Sequence, residues 1–519
     1  MSTNGAGSGR KGLVLAAMIF AVAMTFIDQT IVSIAAPTIQ TKLGLSGTGM
    51  QWAINAYLLA MAALFAFGGR LSDTLGHRRT VIAGVIIFAG ASALCGATPT
   101  GALAQSWIIT FRALQGLGGA VMYPAALAIV VNTYELRERG KALALFFGIA
   151  GGLTAVGPIL GGYLTQWTWR GIFWVNIPVA LVALVLIWMS KPETRFRPAP
   201  IDYRGLVLIA SGVALSVFGF QQSHVWGWSN PAIGLSIAAG ALLLVLFFRY
   251  ERGRTSPLMD VRIFSNRAFA VQCLVLGLCM AVFLPMFFFA SEYASISLGQ
   301  NAQQAGLTLL YFFGGFVVTA QIGGRMLDRV GAKRPVVAGA VIAAAGFYLW
   351  ASRMTDLDLS KLTWFIVLAG AGMGLMISPS NTDAVNRASS LSYGEATGIT
   401  MTVRNYASSL SLAVLGTVLI SVFQSRLADT FAQEPHTTRA QADAMAAAAT
   451  HGSSSGGSGS GGTVPRPIAL DFAHAAQVVF YIMAGLMAVA AVVALVGLRG
   501  GVQAPEAESE SAAEGVQTA

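Results

Sequence analysis

The chain has 519 residues, of which 55% are hydrophobic and only 10% are charged. Soluble domains carry about 25% charged residues, so this composition excludes a soluble enzyme and indicates an all-α integral membrane protein. The formal net charge of +10 indicates basic loops on the cytoplasmic side of a membrane, and no nucleic-acid partner is expected.

Apolar runs of about 20 residues, the length that crosses a bilayer, follow one another along the chain. The first six lie near 13–35, 50–69, 80–98, 103–131, 142–166 and 171–189. Two more lie near 205–222 and 231–249, and the last six near 269–291, 304–323, 335–352, 362–382, 395–422 and 472–498. The sequence therefore predicts fourteen transmembrane helices.

These spans divide the chain into regions. We predict a six-helix N-terminal half over 1–190, a linker with two extra transmembrane helices over 191–268, and a six-helix C-terminal half over 269–498. Segment 424–470 contains a glycine- and serine-rich tract from His451 to Gly462 and is expected to be a flexible extracytoplasmic loop. The acidic tail 499–519 is expected to be disordered.

The basic residues indicate how the chain crosses the membrane. If the N-terminus is cytoplasmic, the loops on that side hold 23 Lys and Arg residues and the opposite loops hold 7. The remaining two, Arg112 and Arg404, lie inside predicted spans. Because Lys and Arg accumulate in cytoplasmic loops, this bias predicts a multi-pass protein of the cytoplasmic cell membrane with both termini inside.

A charged loop motif occurs twice, with an offset of 255 residues at each matching position. The matching residues are Gly69, Asp73, Gly76, Arg78 and Arg79 in the first copy and Gly324, Asp328, Gly331, Lys333 and Arg334 in the second. Each acid is expected to follow a helix end, with a glycine-permitted turn before the basic pair. We interpret the motif as a latch between two helix ends, with ordinary cytoplasmic charge as the alternative.

Asp28 lies within the first predicted span, where an acid is costly and usually functional. Arg112, in the fourth span, shares a helical face with Gln115. Burial disfavours the Asp28 carboxylate, whereas a nearby guanidinium favours it. We therefore predict that Asp28 carries protons and that Arg112 sets when it releases them; a structural cap or ion pair is the alternative.

Small residues are concentrated in the fifth span. Gly157, Pro158, Gly161 and Gly162 favour close packing and a kink. We predict that this face packs against a helix of the other half as an outward gate, with simple helix packing as the alternative.

Several motifs of soluble chemistry do not occur in the sequence. There is no nucleotide-binding GxxxxGK[ST], no HExxH and no CxxC. We therefore expect no enzymatic activity, no metal site and no cofactor. The energy for uphill transport would then come from an ion gradient or another subunit.

Together these motifs resemble those of the major facilitator superfamily, and specifically its fourteen-helix drug:proton antiporter branch. The resemblance covers 13–189 and 269–422 and rests on the repeated loop motif, on Arg112-x-x-Gln115-Gly116, on Gly157-Pro158-x-x-Gly161-Gly162 and on the first-helix segment from Phe26 to Pro37. It implies a monomeric exporter of amphipathic drugs or antibiotics, driven by the proton gradient through alternating access. Its partners would be a small-molecule substrate, protons and the lipid bilayer.

The resemblance also implies a substrate cavity midway across the membrane, between the two halves. Candidates for its lining are Asn55, Tyr57, Gln115, Met122, Tyr123, Gln272 and Tyr311. Glu292 is expected to be a solvated helix end, with a second functional acid near the outer end of the ninth span as the alternative. The two extra spans, whose polar residues lie only near their ends, are expected to be peripheral to transport. The alternatives are a dedicated exporter of one endogenous metabolite or self-made antibiotic, a symport importer and a non-transporting sensor.

Overall fold

A computed structural model describes residues 4–192, 200–387, 393–433, 438–451 and 464–501, and within these ranges all regular secondary structure is helical. The first half contains α1 (Asn4–Leu43), α2 (Gly47–Leu75), α3 (His77–Gly96), α4 (Ala104–Thr133), α5 (Leu136–Leu153), α6 (Val156–Trp167), α7 (Gly171–Trp174) and α8 (Asn176–Ser190). The linker contains α9 (Tyr203–Trp226) and α10 (Pro231–Arg252). The second half contains α11 (Arg267–Ile296), α12 (Ala302–Val330), α13 (Lys333–Arg353), α14 (Leu359–Asn386), α15 (Tyr393–Phe431), α16 (Arg439–His451) and α17 (Arg466–Gly497).

Thirteen stretches of the described helices are long and apolar enough to cross a membrane. The remaining predicted span, 142–166, is divided at Thr154 and Ala155 into α5 and α6. Pro158 has no N–H to donate to the Thr154 carbonyl four residues earlier. The Thr30 hydroxyl of α1 donates to that carbonyl instead, at 2.9 Å. The fourteen predicted spans are therefore present, one of them in two pieces.

The repeat seen in the loop motif extends to helix packing. In the first half α4 packs against α2 and α3, and in the second half α14 packs against α12 and α13. A Cβ at Gly68 would clash with the Ala120 carbonyl of α4, and a Cβ at Gly323 would lie 2.6 Å from the Leu375 carbonyl oxygen of α14. Both glycines and both carbonyls are 255 positions apart, so the two halves use the same glycine-dependent helix crossing.

The two extra helices differ in their surroundings. Helix α9 packs against both α2 and α15, whereas α10 packs mainly against α9. Ser216, in the middle of α9, hydrogen-bonds the Tyr406 hydroxyl at 3.0 Å, and Gln221 accepts a hydrogen bond from Asn55 at 2.5 Å. The prediction that this pair is polar only near its ends is therefore wrong for α9, which connects the two halves.

The described parts of the predicted loop 424–470 contain more helix than expected. Helix α15 continues to Phe431, and α16 packs on it through a small apolar cluster of Leu427, Ala428 and Ala446. The glycine- and serine-rich positions 452–463 and the tail 502–519 lie outside the described residues.

Candidate proton and substrate site between the two halves

An ion pair joins the two charged residues that the sequence singled out in the first and fourth spans. Arg112 Nη1 of α4 lies 2.5 Å from Asp28 Oδ2 of α1, and the two side chains are 1% and 0% exposed. Isolated charges are costly in an apolar interior, and a close opposite charge compensates part of that cost. The pair is therefore the arrangement in which both residues can remain ionised.

Gln115 completes the surroundings of this pair. Its Nε2 donates to Asp28 Oδ1 at 2.8 Å, and its Oε1 accepts from Arg112 Nη1 at 2.7 Å. Arg112 and Gln115 reach the same carboxylate because positions three apart share one face of α4. Arg112 Nε also donates to the Ala53 carbonyl of α2 at 3.2 Å. Both oxygens of Asp28 thus accept hydrogen bonds from side chains of α4.

The polar network continues through residues that sequence reasoning gave no role. Gln115 Nε2 also lies 3.3 Å from Ser92 Oγ, which accepts a hydrogen bond from Asn176 at 2.9 Å and donates to the Phe173 carbonyl at 2.8 Å. Ser92 and Asn176 are buried. These contacts link α3, α4, α7 and α8 to the Asp28–Arg112 pair.

Tyr57 closes another side of the pair. The Arg112 guanidinium carbon lies 4.5 Å from the centre of the Tyr57 ring, and the Tyr57 hydroxyl donates to the Thr25 carbonyl at 3.3 Å. A small cavity of about 10 Å³ adjoins these groups, and its walls include Ser33, Tyr57 and Arg112 from the first half and Pro285, Phe288 and Leu412 from the second. A cavity of this size holds about one water molecule, so water has room beside the pair where the two halves meet.

The other predicted cavity residues occupy different places. Asn55 lies between helices, donating to Gln221 and accepting from Ser409 at 2.9 Å. Met122 packs at the α3–α4 crossing, against Gly84. Tyr123 is buried, Gln272 donates to Asp383 Oδ2 at 2.7 Å, and Tyr311 is 44% exposed. The structure therefore gathers Tyr57 and Gln115 around Arg112 but leaves Gln272 and Tyr311 outside that group.

The glycines of the predicted gate face two different helices. A Cβ at Gly157 would clash with Thr30 of α1, and one at Gly161 would lie 3.1 Å from the Ile31 carbonyl oxygen. A Cβ at Gly162 would instead lie 2.9 Å from Gln303 Cα of α12, and one at Gly306 of α12 would lie 2.5 Å from the Pro158 carbonyl oxygen. Helix α6 therefore touches α1 within its own half and α12 across the interface.

The two copies of the loop motif differ from the expectation in one respect. Helix α2 ends at Leu75 and α12 at Val330, so Asp73 and Asp328 lie in the last helical turns and not after the helix ends. Gly76 and Gly331 have φ values of 90° and 78°, which an L side chain rarely adopts. The glycine turns are thus as predicted.

The surroundings of the two copies also differ. In the first copy, Arg70 Nη2 donates to the Pro257 carbonyl at 2.5 Å. In the second copy, the Gly501 backbone lies against Gly331. Asp73 is half-buried, whereas Asp328 is exposed.

Glu292 lies near the end of α11 and is only 7% exposed. Its Oε1 is buried without a hydrogen-bond partner among the residues that the structure describes. The prediction of a solvated helix end is therefore wrong. The length of α11, which continues to Ile296, keeps Glu292 inside the bundle.

Comparison with known protein families and sequences gives consistent matches. A family model described as Major Facilitator Superfamily matches residues 18–412. The chain is 32% identical to a tetracenomycin C resistance and export protein of Streptomyces glaucescens, over 82% of this chain and 78% of that protein. It is 32% identical to a puromycin resistance protein of Streptomyces alboniger, over 80% and 82%, and 30% identical to the multidrug transporter protein MdtP of Bacillus subtilis (strain 168), over 86% and 82%.

Comparison with solved structures supports the fold. A bacterial homologue of the human lysosomal transporter Spinster, inward-facing and unoccupied, aligns with a TM-score of 0.62 at 16% identity, covering 94% of this chain and 97% of that chain. The partially occluded, inward-open xylose transporter XylE of E. coli aligns with a TM-score of 0.59 at 12% identity, over 96% and 100%.

Proposed function

This chain belongs to the major facilitator superfamily, and we propose from that premise that it exports amphipathic drugs or antibiotics by proton-coupled alternating access. The names of its relatives, a tetracenomycin C resistance and export protein and a multidrug transporter among them, support the direction of transport. The charged groups inside the bundle support the coupling to protons.

The Asp28–Arg112 pair is the observation that carries this proposal. The carboxylate is enclosed, and both of its oxygens accept hydrogen bonds from Arg112 or Gln115. A proton on Asp28 would cancel its charge and leave the Arg112 guanidinium without a counter-charge, at a cost of several kcal/mol if nothing else moved. Protonation therefore favours a rearrangement of α1 against α4 that separates Arg112 from Asp28. When Arg112 again approaches Asp28, its positive charge favours release of the proton.

The gate follows from the orientation that we propose for the chain. With both termini in the cytoplasm, the contact of Gly162 with Gln303 lies on the outer side of the membrane. Because Gly162 and Gly306 have no side chains, the backbones of α6 and α12 approach each other closely there. Separation of these helices would open the site to the outside, where Asp28 takes up a proton, and their contact would accompany release of that proton to the cytoplasm.

A dedicated exporter of one self-made antibiotic is the second candidate. Two of the relatives carry the name of a single antibiotic, tetracenomycin C or puromycin. In both candidates we expect a monomer in the cytoplasmic membrane, whose partners are its substrate, protons and lipid.

Drug accumulation in a bacterial host without its main efflux systems tests the proposal. Cells that express the chain should accumulate less of several unrelated amphipathic antibiotics, and a proton uncoupler should abolish the difference. Protection against a single compound would favour the dedicated exporter. Unchanged accumulation of every compound tested, with the protein present in the membrane, would contradict export.

A further inference from the structure

Arg404 is a second arginine inside a spanning helix, about three turns from the start of α15. Its Nη1 donates to Asn381 Oδ1 of α14 at 3.1 Å, and its Nη2 lies 3.5 Å from the sulfur of Met280 on α11. Nε is fully buried and has no acceptor within the part of the chain that the structure describes. A guanidinium stays charged in proteins, so this side chain holds a positive charge and an unused donor.

The acids of the described C-terminal half do not compensate this charge. Among the described residues, no carboxylate lies within ion-pair distance of Arg404. Asp383 is occupied by Arg387 at 2.6 Å and by Gln272. Glu292 lies 12 residues beyond Met280, about 18 Å further along α11. Because Asp28 is held by Arg112, Arg404 is left without a carboxylate partner among the residues that the structure describes.

Tyr123 lies on α4, which packs against α15, the helix of Arg404, across the interface of the two halves, and the two groups interact electrostatically. Tyr123 is 2% exposed, and its hydroxyl has no hydrogen-bond partner among the described side chains and backbone groups. Its ring contacts three others, with centroid distances of 5.9 Å to Phe26, 5.4 Å to Phe65 and 6.3 Å to Phe146. An open phenol with an aromatic wall and an open guanidinium N–H therefore lie on two helices that pack against each other.

The unused donors define what this place binds. Arg Nε–H only donates, and the Tyr hydroxyl can donate, so each of them can bond to an acceptor group. A carboxylate or another anionic oxygen also supplies the missing negative charge, and such charge-assisted bonds are about twice as strong as neutral ones. We propose that Arg404 and Tyr123 form a subsite for the anionic group of an amphipathic aromatic substrate. This assignment of substrate class rests on the proposed export function.

Binding of three matched compounds to the full-length protein tests the subsite. The protein is placed in phosphatidylcholine nanodiscs, which contain no anionic lipid, and binding is measured by scintillation proximity with 2-naphthoate, 2-naphthamide and 2-naphthylmethylammonium. We expect the wild type to bind the carboxylate at least about tenfold more tightly than the amide, and the ammonium most weakly. Arg404→Met should abolish this preference, and Arg404→Lys should retain part of it.

Two further variants separate the subsite from general effects. Tyr123→Phe should weaken carboxylate binding a few fold while the preference over the ammonium remains. Arg426→Met removes the same charge from an exposed position of α15 and should change nothing. Equal binding of the carboxylate and the amide to the wild type, or a preference that survives in Arg404→Met, would overturn the subsite.

The same compounds distinguish a failed subsite from a failed function. If vesicles containing the wild type transport antibiotics but show no preference among the three naphthalene compounds, the subsite is wrong and export stands. If the preference depends on Arg404 but no compound is transported, the subsite stands and export is wrong.

Discussion

Within the described residues, the interior of each half contains one arginine on a spanning helix. Arg112 of the N-terminal half is enclosed by Asp28, Gln115, the Ala53 carbonyl and the Tyr57 ring. Arg404 of the C-terminal half has an amide and a thioether beside it, and an Nε without an acceptor among the described residues. The first arginine belongs to a complete internal network, whereas the second retains bonding capacity for something that enters.

The two halves differ in the surroundings of these arginines although their helices pack in closely similar ways. The crossings at Gly68 and Gly323 match at an offset of 255 residues, as do the loop glycines Gly76 and Gly331. A shared crossing constrains the small residues at the contact and leaves the polar residues of the interior free to differ. The two halves therefore share a scaffold and divide the chemistry, with proton binding proposed for one and substrate binding for the other.

The largest effect is expected from Asp28→Asn. Asparagine has nearly the size of aspartate but cannot take up a proton, and it leaves the Arg112 charge uncompensated. We expect substrate-dependent proton movement in proteoliposomes to fall about 100-fold, while 2-naphthoate binding at Arg404 stays within about threefold of the wild type. Near wild-type proton exchange would make Asp28 structural and shift attention to Glu292.

The two arginines should respond oppositely to the same substitution. Arg112→Met leaves the Asp28 carboxylate buried and unpaired, which typically costs 3–5 kcal/mol. Arg404→Met removes a charge without a counter-ion, so it should leave the protein as stable as the wild type or more stable. Thermal unfolding of both purified variants in detergent measures this difference. A comparable loss in both would show that Arg404 has a structural partner.

The sequence predicted the Asp28–Arg112 pair because charged residues are rare inside apolar spans. The sequence singled out Arg404 for the same reason. It could not show that Arg404 Nε lacks an acceptor, because that depends on which residues surround the side chain in the fold. Ser92 and Asn176 carried no signal, because uncharged polar residues inside apolar runs are common and gain a role only when tertiary packing aligns them.

Helix boundaries show the same limit. The apolar runs predicted every span, and Pro158 indicated a kink in the fifth. The break between α5 and α6 depends on a residue of another helix, because the Thr30 hydroxyl of α1 donates a hydrogen bond to the Thr154 carbonyl. The place of α9 between α2 and α15 could not be read from its sequence, because hydrophobic periodicity does not specify which helices are neighbours.

The contact between the halves at α6 is the next target. Gly162→Ala places a methyl group 2.9 Å from Gln303 Cα, so α6 and α12 would have to separate. We expect export to fall about tenfold, with increased labelling from outside of a cysteine introduced at Gln303. Gly152→Ala is the matched control, since nothing lies within 4 Å of a Cβ at that position. Equal effects of the two substitutions would argue against a gate.

A smaller effect is expected where α9 connects the halves. Gln221→Leu removes the acceptor of the 2.5 Å hydrogen bond from Asn55 and leaves that buried amide without this partner. Export should slow about threefold to fivefold without loss of 2-naphthoate binding. Gln222→Leu, at a half-buried neighbouring position, serves as control. If Gln221→Leu transports at the wild-type rate, the original expectation of a peripheral helix pair holds for function.

The smallest effect concerns the two copies of the loop motif, where the halves can be compared residue for residue. Asp73 is half-buried at the end of α2, whereas its counterpart Asp328 is exposed at the end of α12. Interactions of exposed charges contribute about 0–1 kcal/mol, so Asp328→Asn should change the transport rate by less than about twofold. Asp73→Asn should slow it about twofold to threefold with unchanged 2-naphthoate affinity, because a latch affects exchange between conformations and not the cavity. Transport rates and binding measured on the same preparations distinguish these outcomes. A matched loss of affinity in Asp73→Asn would contradict the latch, and equal slowing by both substitutions would mean that the two loops contribute alike despite their different exposure.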